Sequence, residues 1–180
     1  MSQLRKIISG TVGSEIAEAA LVLPIFFMIM LGIYWFGRAF NVYATINHAA
    51  REGALAATMF NCASCGNSQT SSGTVATAVT TALQAAGLDP TQVQAYAPSS
   101  VACPGGTVSC NTASQNNNVT ICSNVQLPNT LPTGSGSPAC GVTVSFQYPY
   151  NFSLPFPVPP YGANGFNLRL KADVQMKGQF

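Results

Sequence analysis

"AALVLPIFFMIMLGIYWFG", residues 19–37, decides the architecture, because it places nineteen residues without a charge between Glu18 and Arg38. At 1.5 Å per residue a helix of this length rises about 28 Å, close to the roughly 30 Å hydrocarbon core of a bilayer. A secretory signal has an apolar core of only about 7–15 residues, so the stretch is long for one. Pro24 would kink a helix in water, but membrane helices tolerate proline because their surroundings re-satisfy the freed backbone groups. Tyr34 and Trp35 stand near the far end, where interfacial aromatics belong. The stretch reads as a transmembrane helix.

Past it, "RAFNVYATINHAAREGALAATMF", residues 38–60, continues without a breaker until Asn61. Phe40, Tyr43, Ile46, Ala50, Ala54 and Ala57 recur at spacings of three and four, which predicts one helical face for a domain to pack upon. The expected helix runs from Ser14 to Phe60, roughly 70 Å long. Residues 61–180 are left for a domain outside the cytoplasm.

Composition bounds that domain. Of 180 residues, 7 are Lys or Arg and 5 are Asp or Glu, and none of these lies between Pro90 and Leu168. A near-neutral chain has no basic footprint, which excludes nucleic acid as the expected partner. All six cysteines, Cys62, Cys65, Cys103, Cys110, Cys122 and Cys140, follow the apolar stretch. An even count in a polar, loop-rich region reads as disulfides in an oxidising compartment. The basic residues on either side of the apolar stretch are too balanced to fix its orientation. The cysteines fix it instead, with the first dozen residues cytoplasmic and the rest outside. Neighbour pairing is the simplest expectation: Cys62–Cys65, Cys103–Cys110 and Cys122–Cys140. Only 25 of the 121 residues from 60 to 180 are Leu, Ile, Val or Phe. That is close to the roughly 20% below which a chain struggles to bury a core, so each bridge, at ~2–4 kcal/mol, matters.

Thr74 to Ala86 reads as a second helix. Val75, Val79, Leu83 and Ala86 share a face, Gly87 suits the C′ position, and Asp89-Pro90 stops it. From Pro98 to Ser114 the chain is turn-like. Three alternating stretches follow: Val119, Ile121, Ser123 and Val125 share a side; so do Val142, Val144, Phe146, Tyr148 and Tyr150; and so do Phe166, Leu168, Leu170, Ala172, Val174 and Met176. The predicted fold is α+β: a long N-terminal transmembrane helix packed on a small antiparallel sheet of three or four strands braced by disulfides. The proline-rich "NFSLPFPVPPYGANG", residues 151–165, cannot join a central ladder and reads as a stiff connection over the sheet edge or a partner-binding loop.

Catalytic signals are thin. Cys62-Ala-Ser-Cys65 has the spacing of a redox motif or half a zinc site, but it follows a helix end, whose carbonyls disfavour a thiolate. Cys103 and Cys110 are spaced too loosely for a zinc knuckle, and oxidised cysteines bind no metal. His48 stands alone and reads as a helix-surface residue. Adjacent on a helix, Arg51 and Glu52 point about 100° apart and do not pair. Asn118-Val-Thr and Asn151-Phe-Ser match a glycosylation pattern that arises often by chance. No catalytic residue, cofactor or metal is expected, and the chain does not read as an enzyme.

"GSEIAEAALVLPIFFMIMLGIYWFGRAF" followed by "NHAAREGA" resembles the TadE-like pseudopilins of the tight-adherence (Flp) pilus machinery. The likeness rests on a short basic leader, a Glu-bearing apolar helix with a Leu-Pro step, a Gly-Arg exit and an Ala-Ala-Arg-Glu-Gly-Ala stretch. It covers about residues 10 to 58. It implies prepilin-type processing between Gly13 and Ser14, which would remove residues 1–13 and make Glu18 the fifth residue of the mature chain. Ala19 departs from the aromatic that often follows that Glu. The resemblance further implies a minor pseudopilin in the bacterial inner membrane, without catalysis of its own. Its implied partners are a prepilin peptidase, the pilus assembly machinery and other pilin and pseudopilin subunits.

An ionised acid in a bilayer helix costs about 2.5–3.5 kcal/mol at the centre and less near the edge. Under the resemblance, the Ser14 amine of a neighbouring subunit would neutralise Glu18 and favour one stagger. The plainer reading has Glu15 and Glu18 complement the positive helix N-terminus, for about 0.3–1 kcal/mol. Small residues at Ala17, Ala20 and Gly32 would allow helices to approach closely. Two rival readings stand beside this one: a secreted disulfide-rich binding protein cut after Ala44, and a periplasmic thiol enzyme using Cys62 and Cys65.

Overall fold

The computed structural model describes residues 12–59, 70–113, 118–127, 139–152 and 166–177. The chain falls into two compact units, Met1–Phe40 and Asn41–Phe180. Helix α1, Val12–Thr58, runs 47 residues with Pro24 inside it. Its bounds lie two residues earlier at each end than the sequence suggested. Its last turn is tightened by the Thr58 hydroxyl, which donates to the carbonyls of Ala54 and Leu55.

Within the second unit, Ile46, Ala49, Ala50, Gly53, Ala54 and Ala57 form the buried stripe of α1. Phe40 and Tyr43, expected on this face, are 72% and 44% exposed. Small residues explain the difference, since the seam works by backbone approach and an aromatic ring would hold the helix off. At Gly53 an added Cβ would lie 2.5 Å from Val79 Cγ2 and 3.4 Å from Val144 Cγ1. Glycine here lets one helix meet both a second helix and the sheet.

Helix α2, Ser72–Ala85, begins at Ser71, whose Oγ accepts from the Thr74 N–H at 3.3 Å. It buries Val75, Ala76, Val79 and Leu83. Ala86, expected on that face, is the exposed cap. Gly87 at φ +74° turns the chain, and the Leu88 and Gly87 N–H groups donate to the carbonyls of Leu83 and Gln84, the Schellman pattern. Asp89 then caps a 3₁₀ turn, Pro90–Gln92, by accepting from the Thr91 N–H and hydroxyl at 2.9 and 2.7 Å.

Four antiparallel strands follow in the order β1-β2-β3-β4: Ser109–Thr112, Thr120–Gln126, Cys140–Phe152 and Phe166–Lys177. β1 lies in the region expected to be turn-like. Four polar residues with exposed side chains carry no alternation to betray a strand. In β2 the predicted single face breaks. Val119 and Ile121 join the helix-facing core, but a bulge between Cys122 and Val125, with Asn124 at φ 58°, turns Val125 to the opposite face. β3 keeps its alternation. Val142, Val144, Phe146 and Tyr148 enter the core, while Thr143 and Ser145 on the other face are also fully buried. β4 pairs with β3 over twelve residues from Phe166 to Lys177. As the edge strand it is covered incompletely: Ala172 is buried, Leu170, Val174 and Met176 are half-buried, and Leu168 is 53% exposed.

The far face of the sheet is covered by a strap, Val93 to Cys103. At its start Gln94 exchanges two backbone hydrogen bonds with Gln147, and Ser145 Oγ donates to the Tyr96 carbonyl at 2.7 Å. The Lys171 ammonium sits 4.5 Å over the Tyr96 ring. At its end Ala102 bridges to Val125 on β2, so the strap passes from β3 across to the outer margin of β2.

Disulfides Cys103–Cys140 and Cys110–Cys122 replace the expected pairs of sequence neighbours. The reason is topological. Antiparallel pairing sets Cys110 directly opposite Cys122, and the strap carries Cys103 to the start of β3. Cys62, Cys65 and the proline-rich stretch from 153 to 165 lie outside the described residues.

Candidate assembly interface

From Ile16 to Phe40 no side chain of α1 is buried within the chain. Met28 is 70% and Phe36 80% exposed, as free as an apolar side chain gets on a helix. The helix is long and apolar enough to cross a membrane. So large a contiguous apolar surface cannot face water in a stable soluble monomer, and α1 satisfies its backbone internally as lipid demands. This part of the chain associates with membrane. Neighbouring rings meet edge to face, Phe26 with Phe27 at 6.3 Å and Tyr34 with Trp35 at 5.6 Å. The second pair stands where an interfacial belt is needed.

The residues expected to guide processing and assembly lie on α1. Gly13 and Ser14 lie in the first turn of α1. Ala17, Glu18 and Ala20 follow within two turns, all exposed. Gly32 stands about 18 Å further along the axis, and an added Cβ there would meet nothing within 4 Å. Among the described residues, Ala17, Ala20 and Gly32 thus carry no packing load.

On the distal part of α1, His48 Nε2 lies 3.8 Å from Glu52 Oε1, one turn on and exposed. Glu52 therefore faces His48 rather than Arg51. Both border a shallow groove of about 930 Å³ against α2, whose wall carries Thr74, Thr77 and Thr81. The last two hydroxyls donate back to Gly73 and Thr77 carbonyls, so the wall offers little unsatisfied polarity to a ligand. Among the described residues no three His, Cys, Asp or Glu side chains gather to share a metal.

Three ionisable groups of the second unit are shifted. The Thr91 hydroxyl and N–H hold the Asp89 carboxyl below its usual range. Burial pushes the Tyr148 phenol up, against the core. Partial desolvation likewise raises Asp173, although its side chain is exposed on β4. Tyr148 lies near enough to Asp89 to feel its charge, though burial is the larger influence on the phenol.

Sequence reasoning missed the strap and the space beneath it. One signal is present in the sequence: Thr143, Ser145 and Gln147 alternate with the apolar side of β3, and a chain with no charge between Pro90 and Leu168 has little besides itself to cover them.

Residues 13–55 match the model of a family described as TadE-like protein. The match spans α1 nearly to its end and leaves out α2, the strap and the sheet. No curated protein and no solved structure matches the chain.

Proposed function

We propose, from the premise that residues 13–55 are a TadE-like segment, that this chain is a minor pseudopilin assisting assembly of a tight-adherence pilus. The carrying observation is the division of labour along α1. From Ile16 to Phe40 none of its side chains is buried among the described residues, while Ile46, Ala49, Ala50, Ala54 and Ala57 further on belong to the core of the second unit. A single-pass anchor in the inner membrane follows, with the N-terminus cytoplasmic and the disulfide-bonded unit outside. The leader, residues 1–13, is removed between Gly13 and Ser14 by a prepilin peptidase. Other pilin and pseudopilin helices pack at Ala17, Ala20 and Gly32, where backbones approach closely. The Ser14 amine of a neighbouring subunit neutralises Glu18, offsetting the cost of a carboxylate at the bilayer edge. Its role is packing, not catalysis.

The secreted alternative meets a physical objection. Cleavage after Ala44 would fall inside α1, two residues before the fully buried Ile46.

Two measurements test the proposal. N-terminal sequencing of the mature protein is expected to begin at Ser14; a start at Thr45 would transfer the case to the secreted reading. Glu18→Ala is expected to insert normally and to reduce piliation. Undiminished piliation in that variant would leave Glu18 only its helix-terminus role.

A further inference from the structure

β4 ends the sheet, with β3 as its one strand neighbour among the described residues. The ladder fixes where its backbone groups point. Gln147 on β3 exchanges both of its backbone hydrogen bonds with Gln94, on the side away from β4. Lys171 is its partner across the β3–β4 pair, and in an antiparallel pair hydrogen-bonded and non-hydrogen-bonded positions alternate. Ala172 therefore bonds to Phe146, while the N–H and C=O groups of Arg169, Lys171, Asp173 and Gln175 point to the free edge.

The side chains along this edge divide by face. On one face Leu168 is exposed and Leu170, Val174 and Met176 are half-buried, an apolar strip that the chain covers incompletely. On the other stand Arg169, Lys171, Asp173 and Gln175, all exposed. Asp173 has no ion pair among the described residues, although its surroundings partly desolvate it. Charges on an edge strand ordinarily keep other strands away. Here the order of the two signs makes the edge complementary to itself.

We propose that β4 pairs antiparallel with β4 of a second copy of this chain, about a two-fold axis at Ala172. Outward-pointing backbone groups must meet outward-pointing groups, so the axis falls on a residue and not between two. With the axis at Ala172, Lys171 faces the partner's Asp173, and Asp173 faces the partner's Lys171. Arg169 faces the partner's Gln175, while Leu168 and Leu170 lie opposite the partner's Met176 and the partner's Val174. Adjacent registers fail. An axis at Lys171 sets two ammonium groups together; one at Asp173 sets two carboxylates together and Arg169 against the partner's Lys177. Apolar pairs and opposite charges across a ladder stabilise it, whereas like charges directly opposite destabilise it. The contact closes with two chains, covers both free edges and gives the lone carboxylate a cation. It stands independently of the anchoring role of α1.

Sedimentation equilibrium of the full chain in density-matched detergent micelles tests this, since micelles do not hold both anchors in one bilayer. The parent is expected to dimerise with a Kd of about 100 µM, as befits a small edge contact, and to be monomeric well below that. Lys171→Asp sets carboxylate against carboxylate at both crossings, and Asp173→Lys sets ammonium against ammonium. Each variant alone should dimerise about tenfold more weakly. Mixed in equal amounts, the two carry opposite charges at every crossing and should pair as tightly as the parent. Both positions are exposed, and near-ultraviolet circular dichroism verifies that each variant is folded. The proposal is overturned by a parent that stays monomeric at about 1 mM. It is equally overturned by folded single variants that dimerise as the parent does, or by a mixture that pairs no more tightly than its components. If Lys171→Asp does not fold, Asp173→Lys against the parent decides alone.

Discussion

Gly53 shows how one missing side chain sets the packing of a domain. Its Cα faces Val79 on α2 and Val144 on β3, so any larger residue pushes α1 away from both. Gly53→Leu should therefore destabilise the second unit by about 1–3 kcal/mol, the usual range for overpacking a fitted core. Chemical denaturation monitored by near-ultraviolet circular dichroism would register this, and an unchanged midpoint would mean that α1 can retreat without loss. Glycine inside a helix normally costs up to about 1 kcal/mol against alanine. The close contact offsets that cost here, and sequence alone hinted at it only through the run of small residues from Ala49 to Ala57.

Among the elements, those with strong periodicity were legible and those without were not. The apolar run of α1, the Val75, Val79 and Leu83 face of α2, and the alternations of β3 and β4 each follow from a repeat that burial enforces. β1 has no such repeat, since its side chains are exposed and its place comes from pairing with β2. The strap is likewise irregular, held by Gln94, Tyr96 and Ala102 at isolated points rather than by a ladder. Cysteine pairing was hidden for the same reason: it depends on which strands lie side by side. The sequence suffices to place Ala17, Glu18, Ala20 and Gly32 on α1, because the helix is one uninterrupted run. The hollow between the strap and the sheet is not legible there, because it needs the bulge, Gly141 and the strap together. The clip at the strap's end carries a prediction. Replacing Cys103 and Cys140 by Ser should cost ~2–4 kcal/mol and speed backbone hydrogen exchange first at the amides of Gln126 and position 103, which donate to the Val101 and Asn124 carbonyls. Exchange that rises uniformly over the sheet would contradict this local role.

For the molecule as a whole, pH dependence follows from the two groups that burial shifts upward. Tyr148 ionises near pH 10 in an unfolded chain but later in the folded one. Its contribution is complete below that value and is lost as pH rises through the folded pKa. Tyr148→Phe should flatten the fall in stability above about pH 10. Asp173 obeys the same sign at the other end of the scale. Its carboxylate is disfavoured by burial, so folding gains as pH falls through its raised pKa. Asp173→Asn should accordingly melt slightly higher than the parent at pH 7 and not at pH 3, a comparison that calorimetry makes directly.

The two cross-links are nested, Cys110–Cys122 lying wholly within the span from Cys103 to Cys140. A protease that cuts once anywhere between Cys103 and Cys140 therefore cannot release a fragment. The severed halves stay one covalent molecule, still joined to the membrane through α1, until a reductant reaches them. In a protease digest such a nick would be invisible without reduction: the band would run at full mass on a non-reducing gel and split only when thiol is added.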